Sequence, residues 1–155
     1  MKSSMIKVIG LILFIVTNTV ISININIYTL LEGTTTTIFN LVASIVFLVL
    51  WFLLSLYKGI KKEKMFRTFL IVYWGIDIFF TVLMGILFLA GFNPIFLLPF
   101  YIWYFSPLYG FHYILDFNIA QLILVTAPLG ILFSSLGCFS GLLISKSKIL
   151  FKKQG

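Results

Sequence analysis

Four apolar runs of about twenty residues leave this chain few folds to choose from. A helix needs roughly 20 apolar residues to cross a hydrocarbon core of about 30 Å. Runs over about 6–27, 38–57, 68–91 and 118–145 meet that length. In lipid the backbone must satisfy its own hydrogen bonds, which a helix does internally. The expected fold is therefore all-α, a polytopic membrane protein. It is one membrane domain over residues 1–155, a four-transmembrane-helix bundle. Composition agrees with this. Charged residues are 10% and hydrophobic residues 61% of the chain, against about 25% charged in a soluble domain. Mean hydropathy is +1.17.

The charges that remain are placed by side. Ten lysines and one arginine oppose four acids, giving +7. The basic residues fall in three stretches: Lys2 and Lys7, then Lys58 to Arg67, then the tail from Lys146. The connections after the first and third spans have none. Lys and Arg in short loops mark the cytoplasmic side, so both termini are expected in the cytoplasm and the chain in a cell membrane. That placement also argues against nucleic acid as a partner, because the basic residues flank spans instead of forming one patch. Lys58, Lys61, Lys62, Lys64 and Arg67 are expected to attract anionic lipid heads, at about 1 kcal/mol per charge. The Ile-, Phe-, Lys- and Asn-rich usage fits an AT-rich genome and suggests a bacterial source.

The first run is long for a signal peptide and lacks an A-x-A-like site, so it is expected to be retained. Gly33 supplies a turn before the second span, and a threonine of the Thr34–Thr37 run can cap it. From Phe92 to Phe117, eleven of 26 residues are Phe, Tyr or Trp, and Pro94, Pro99 and Pro107 interrupt them. Prolines so spaced oppose a continuous helix. An aromatic outer segment is expected here, lying in the interface between the third and fourth spans and partly re-entrant. Its residues Trp103, Tyr104, Tyr109, His112 and Asp116 make a candidate outer docking surface.

Asp77 is the sharpest single residue. It lies ten residues past Arg67, about 15 Å along a helix and near mid-membrane. No basic residue occurs at that depth, so the neutral acid is the expected form. Tyr73, Asp77, Thr81 and Gly85 share one face at spacings of four. Gly10, Asn18, Ser22 and Asn26 share one on the first span, and Asn18 sits at a depth that suits a hydrogen bond with Asp77. These define a candidate intramembrane polar site of Asp77, Asn18, Tyr73 and Thr81. The last span carries Gly130, Ser134, Gly137 and Gly141, whose small size suits close helix packing. Pro128 is expected to kink that span. Cys138 reads as a small packing residue.

Motifs for catalysis are missing. There is no Walker A loop, dinucleotide loop, H-E-x-x-H, CxxC or G-x-S-x-G. His112, Asp116 and Glu32 are too scattered to expect a metal. Neither an enzyme nor a cofactor is expected. The leading expectation is a protein acting by binding, as an accessory or regulatory subunit or a self-protection (immunity-type) protein. Its partners would be the lipid bilayer and another membrane protein or a second copy. A small transporter or channel using Asp77 is the alternative, and a holin-like pore former comes third.

Overall fold

A computed structural model describes residues 2–92, 95–115 and 119–152. Its α-helices are α1 (Lys2–Glu32), α2 (Ile38–Ile60), α3 (Lys64–Leu89), α4 (Leu98–Phe105) and α5 (Ile119–Lys152). Short 3-10 stretches cover Ile95–Leu97 and Ser106–Tyr113. Among the described residues four segments are long and apolar enough to cross a membrane: Val8–Glu32, Ile38–Ile60, Lys64–Leu87 and Pro128–Ser147. Large side chains such as Ile71, Phe79 and Leu89 stand outward at 75%, 62% and 92% exposure. Lipid is the medium that makes such a surface stable.

Two boundaries differ from expectation. Helix α1 runs past residue 27 to Glu32, because Leu30 still packs against Phe105 and Tyr109. Helix α5 continues through the lysine tail to Lys152, and Pro128 lies within it. Proline removes one i→i−4 hydrogen bond, a loss that packing on neighbouring helices makes tolerable in a membrane.

The two ends of the bundle are chemically distinct. At the threonine end, Thr37 caps α2: its hydroxyl accepts from the Asn40 N–H, and the Asn40 side chain accepts from the Thr37 N–H. This is a capping box with asparagine in the position usually held by Glu or Gln. At the lysine end, Lys62 adopts φ +55° in the tight turn between α2 and α3. Lys58 is 9% exposed and paired with Glu63 at 2.8 Å.

The α2–α5 seam holds the bundle together. A Cβ added to Gly137 would overlap the Phe52 carbonyl oxygen, one on Gly141 the Leu56 carbonyl oxygen, and one on Gly59 the Cys138 carbonyl oxygen. Three glycines thus bring two backbones to a distance no larger residue allows. That contact matters because apolar side chains gain little from leaving lipid for one another, so packing and hydrogen bonds drive helix association. Beside the seam, Trp51 is 1% exposed, with its ring 5.0 Å from Tyr73 and 5.4 Å from Trp74.

Candidate functional site

The aromatic segment does not lie flat on the bundle. Helix α4 packs along α3, with Phe100 stacked on Phe80 at 3.9 Å and Tyr104 5.1 Å from Tyr73. The chain then dips between α1 and α2 as the 3-10 stretch Ser106–Tyr113. Leu108 is fully buried in the core formed by Phe47, Trp51 and Trp74. Ser44, which contacts this stretch, lies six residues into α2, about 9 Å below its start at 1.5 Å per residue. The described part of the segment thus re-enters the helix bundle.

A hydrogen-bonded hub holds it there. The Ser44 hydroxyl donates to the Pro107 carbonyl at 2.8 Å and accepts from the Gly110 N–H at 3.1 Å. The Asn40 amide donates to Asn26 Oδ1 and to the Ile25 carbonyl, each at 3.0 Å. Asn26 in turn donates to the Pro107 carbonyl at 3.3 Å. Non-helical backbone at this depth is tolerated only where protein satisfies it, and these side chains do so. Gly110 is required for the approach, since a Cβ there would overlap the Asn40 carbonyl oxygen.

The expected outer docking surface is corrected at one residue by this burial. Tyr109 is 3% exposed and belongs to the packed interior. Trp103, Tyr104 and His112 are half-buried, and Asp116 lies outside the described residues. The physical reason is the hub: once Pro107 and Gly110 are anchored inside, the aromatics around them face protein. Burial pushes the Tyr101 and Tyr109 phenols upward from their ordinary range.

The intramembrane polar site is also rearranged. Asp77 is 6% exposed, half-way along α3, and accepts a long 3.5 Å hydrogen bond from the Thr81 hydroxyl. It faces α4, across a cavity of about 20 Å³ shared with Phe80, Phe100, Tyr101 and Tyr104. That is room for about one water molecule. The expected Asn18–Asp77 hydrogen bond does not form: the Asn18 amide nitrogen has no partner among the described residues. Re-entry of α4 places aromatic rings where Asp77 points. Tyr73 packs in the core with its ring tilted against those of Trp51 and Tyr104. On α1, Asn18, Ser22 and Asn26 are buried, while Gly10 faces open space.

The small residues of α5 serve two neighbours. Gly137 and Gly141 meet α2. Gly130 lies against the Trp74 ring, and Ser134 accepts a 3.1 Å hydrogen bond from the Trp74 indole nitrogen. Toward the threonine end α3 and α5 separate. The resulting cavity of about 520 Å³ is lined by Ile78, Thr81, Val82, Pro128, Leu132 and Ser135. Its walls are apolar apart from two hydroxyls, and Thr81 lines both this groove and the Asp77 cavity.

Asn40 and Ser44 escaped the sequence reading, although two polar side chains four apart in an apolar span were a visible signal. Their partners, the Pro107 carbonyl and Gly110 N–H, are backbone groups that carry no such signal. Among the described residues no three His, Cys, Asp or Glu side chains converge as metal ligands. Comparison with protein families, with curated proteins and with solved structures finds no match, so the fold described here rests on its own geometry.

Proposed function

We propose that this small multi-pass membrane protein acts by binding within the bilayer, without catalysis, as an accessory or regulatory subunit or a self-protection protein of a bacterial cell membrane. Both termini face the cytoplasm in this reading. The single observation that supports it is the α3–α5 groove: an apolar recess of about 520 Å³ walled by Ile78, Val82, Pro128 and Leu132 on the outside of a packed bundle. A smaller apolar recess of about 310 Å³, lined by Val125, Pro128, Leu129 and Leu132, lies next to it on α5. A second reading, a small transporter, draws support from Asp77, which no basic residue at its level in the spans neutralises, and from interior polar atoms without partners among the described residues, including Asn18 Nδ2 and Ser55 Oγ.

Asp77→Asn separates the two. It keeps size and hydrogen-bonding capacity and removes the titratable proton. With protein in liposomes, a binding protein shows no ion or proton flux above empty vesicles, and Asp77→Asn folds normally. Flux in the wild type that disappears in a well-folded Asp77→Asn variant would overturn the binding reading and establish the transporter.

A further inference from the structure

We infer that the outward face of α1 is a dimer seam, on which a second copy of this chain docks in parallel so that the two Asn24 side chains meet. The seam is separate from the α3–α5 groove and does not need the binding reading made on it. One side of α1 belongs to the bundle: Leu11, Ile15, Asn18, Thr19, Ser22 and Asn26 are buried. The other side, along Leu13, Thr17, Ile21, Asn24, Tyr28 and Leu31, is exposed. Asn24 makes that side unlike an ordinary lipid face. The span Val8–Glu32 has its middle at Val20. Asn24 is four residues further on, about 6 Å along the helix and inside a hydrocarbon half-thickness of about 15 Å. Among the described residues of the spans, Asn18, Asn26 and Asn40 are buried, and Asn24 is the asparagine that faces out. Its Nδ2 donates to the Val20 carbonyl of its own helix at 2.8 Å. Its Oδ1 and second N–H have no partner among the described residues, and lipid tails offer none.

A second copy supplies what lipid does not. Two chains with the same distribution of basic loops insert in the same sense, so their α1 helices pair in parallel about a two-fold axis along the membrane normal. Each residue of the seam then faces its own counterpart. An amide carries both donors and an acceptor, so it is complementary to itself: each Nδ2 donates to the other chain's Oδ1. The spacing extends the contact along the helix. Gly10, Thr17, Asn24 and Leu31 recur every seven residues, the repeat that keeps two helices together as a left-handed pair. Gly10 has open space around it, which lets the two backbones approach toward the lysine end. A single asparagine in such a seam fixes its register. The other spans lack this combination. Gly137 and Gly141 of α5 are already met by the α2 backbone, and the outward face of α2 from Val42 to Leu53 is aliphatic.

Energy transfer between donor- and acceptor-tagged copies of the full-length protein tests this, in phosphatidylcholine vesicles at falling protein-to-lipid ratio. The signal should follow a monomer–dimer curve. Asn24→Leu should raise the dissociation constant about tenfold, the effect of two modest interhelical hydrogen bonds, and Asn24→Gln should retain most of the affinity. Because Asn24 faces outward, neither variant should change the melting temperature of the monomer in excess detergent. In a Cys138→Ala background, oxidation with copper phenanthroline should cross-link Thr17→Cys between copies. It should leave Val46→Cys, which faces out from α2, uncross-linked. Transfer no greater than random proximity at every ratio, an affinity indifferent to Asn24→Leu, or cross-linking as strong at Val46→Cys as at Thr17→Cys overturns the inference.

Discussion

Asn40 shows how much one side chain can fix in a membrane. It donates to the Ile25 carbonyl and Asn26 and accepts from the Thr37 N–H and hydroxyl, at 2.7–3.0 Å. It thereby joins the end of α1, the cap of α2 and, through Asn26, the re-entrant stretch. Single interhelical hydrogen bonds in membranes average about 0.6 kcal/mol, but leaving several buried partners unpaired costs about 1–3 kcal/mol. Asn40→Leu should therefore destabilise the bundle by about 2 kcal/mol and loosen Ser106–Tyr113 first. The check is thiol labelling in a Cys138→Ala background carrying Ser106→Cys. Ser106 is fully buried, so the thiol should be inert until Asn40→Leu is added. A thiol equally inert in both would show that packing alone seats the segment.

Between elements, the α2–α5 seam and the turn at the lysine end make contrasting use of sequence. Gly137→Leu or Gly141→Leu forces a side chain into a backbone carbonyl of α2, and overpacking typically costs about 1–3 kcal/mol. Both variants should melt earlier in detergent, and an unaltered melt in either would mean that the helices separate there without cost. In the turn, Lys58 is held by Glu63, while Lys61, Lys62, Lys64 and Arg67 are exposed. Exposed basic residues attract anionic lipid by about 1 kcal/mol each, whereas a paired one has its charge already answered. Replacing Lys61, Lys62 and Lys64 with Gln should therefore deplete anionic lipid retained on the purified protein, read by native mass spectrometry. Lys58→Gln should deplete it less and lower stability more. Equal depletion per charge would refute the distinction.

At the scale of the whole molecule, alternating spans gather the threonine turn and the aromatic segment at one end. The Lys58–Lys64 turn and the lysine-rich tail of α5 lie at the other. With basic loops retained in the cytoplasm, alkaline-phosphatase fusions after Thr36 and Ile114 should be active, and fusions after Lys62 and Ser147 inactive. An active Ser147 fusion would invert the orientation assigned to the bundle.

The spans were legible because hydrophobic length is a local property: twenty apolar residues report a crossing whatever their neighbours do. Charge by loop is local in the same sense, as is the capping of α2 by Thr37. The glycines of α5 were visible as small residues, but only the folded chain assigns Gly137 and Gly141 to α2 and Gly130 to Trp74. Prolines and ring content foretold that residues 92–117 would not form a fifth straight span. They could not say which way the segment turns, because its anchors are backbone groups of Pro107 and Gly110 meeting Ser44, 63 and 66 residues away in sequence. The place of Asp77 half-way along α3 followed from counting residues. Its surroundings did not, since the choice between Asn18 and the rings of α4 depends on how that re-entrant segment packs, and packing is decided by shape between elements far apart in the chain.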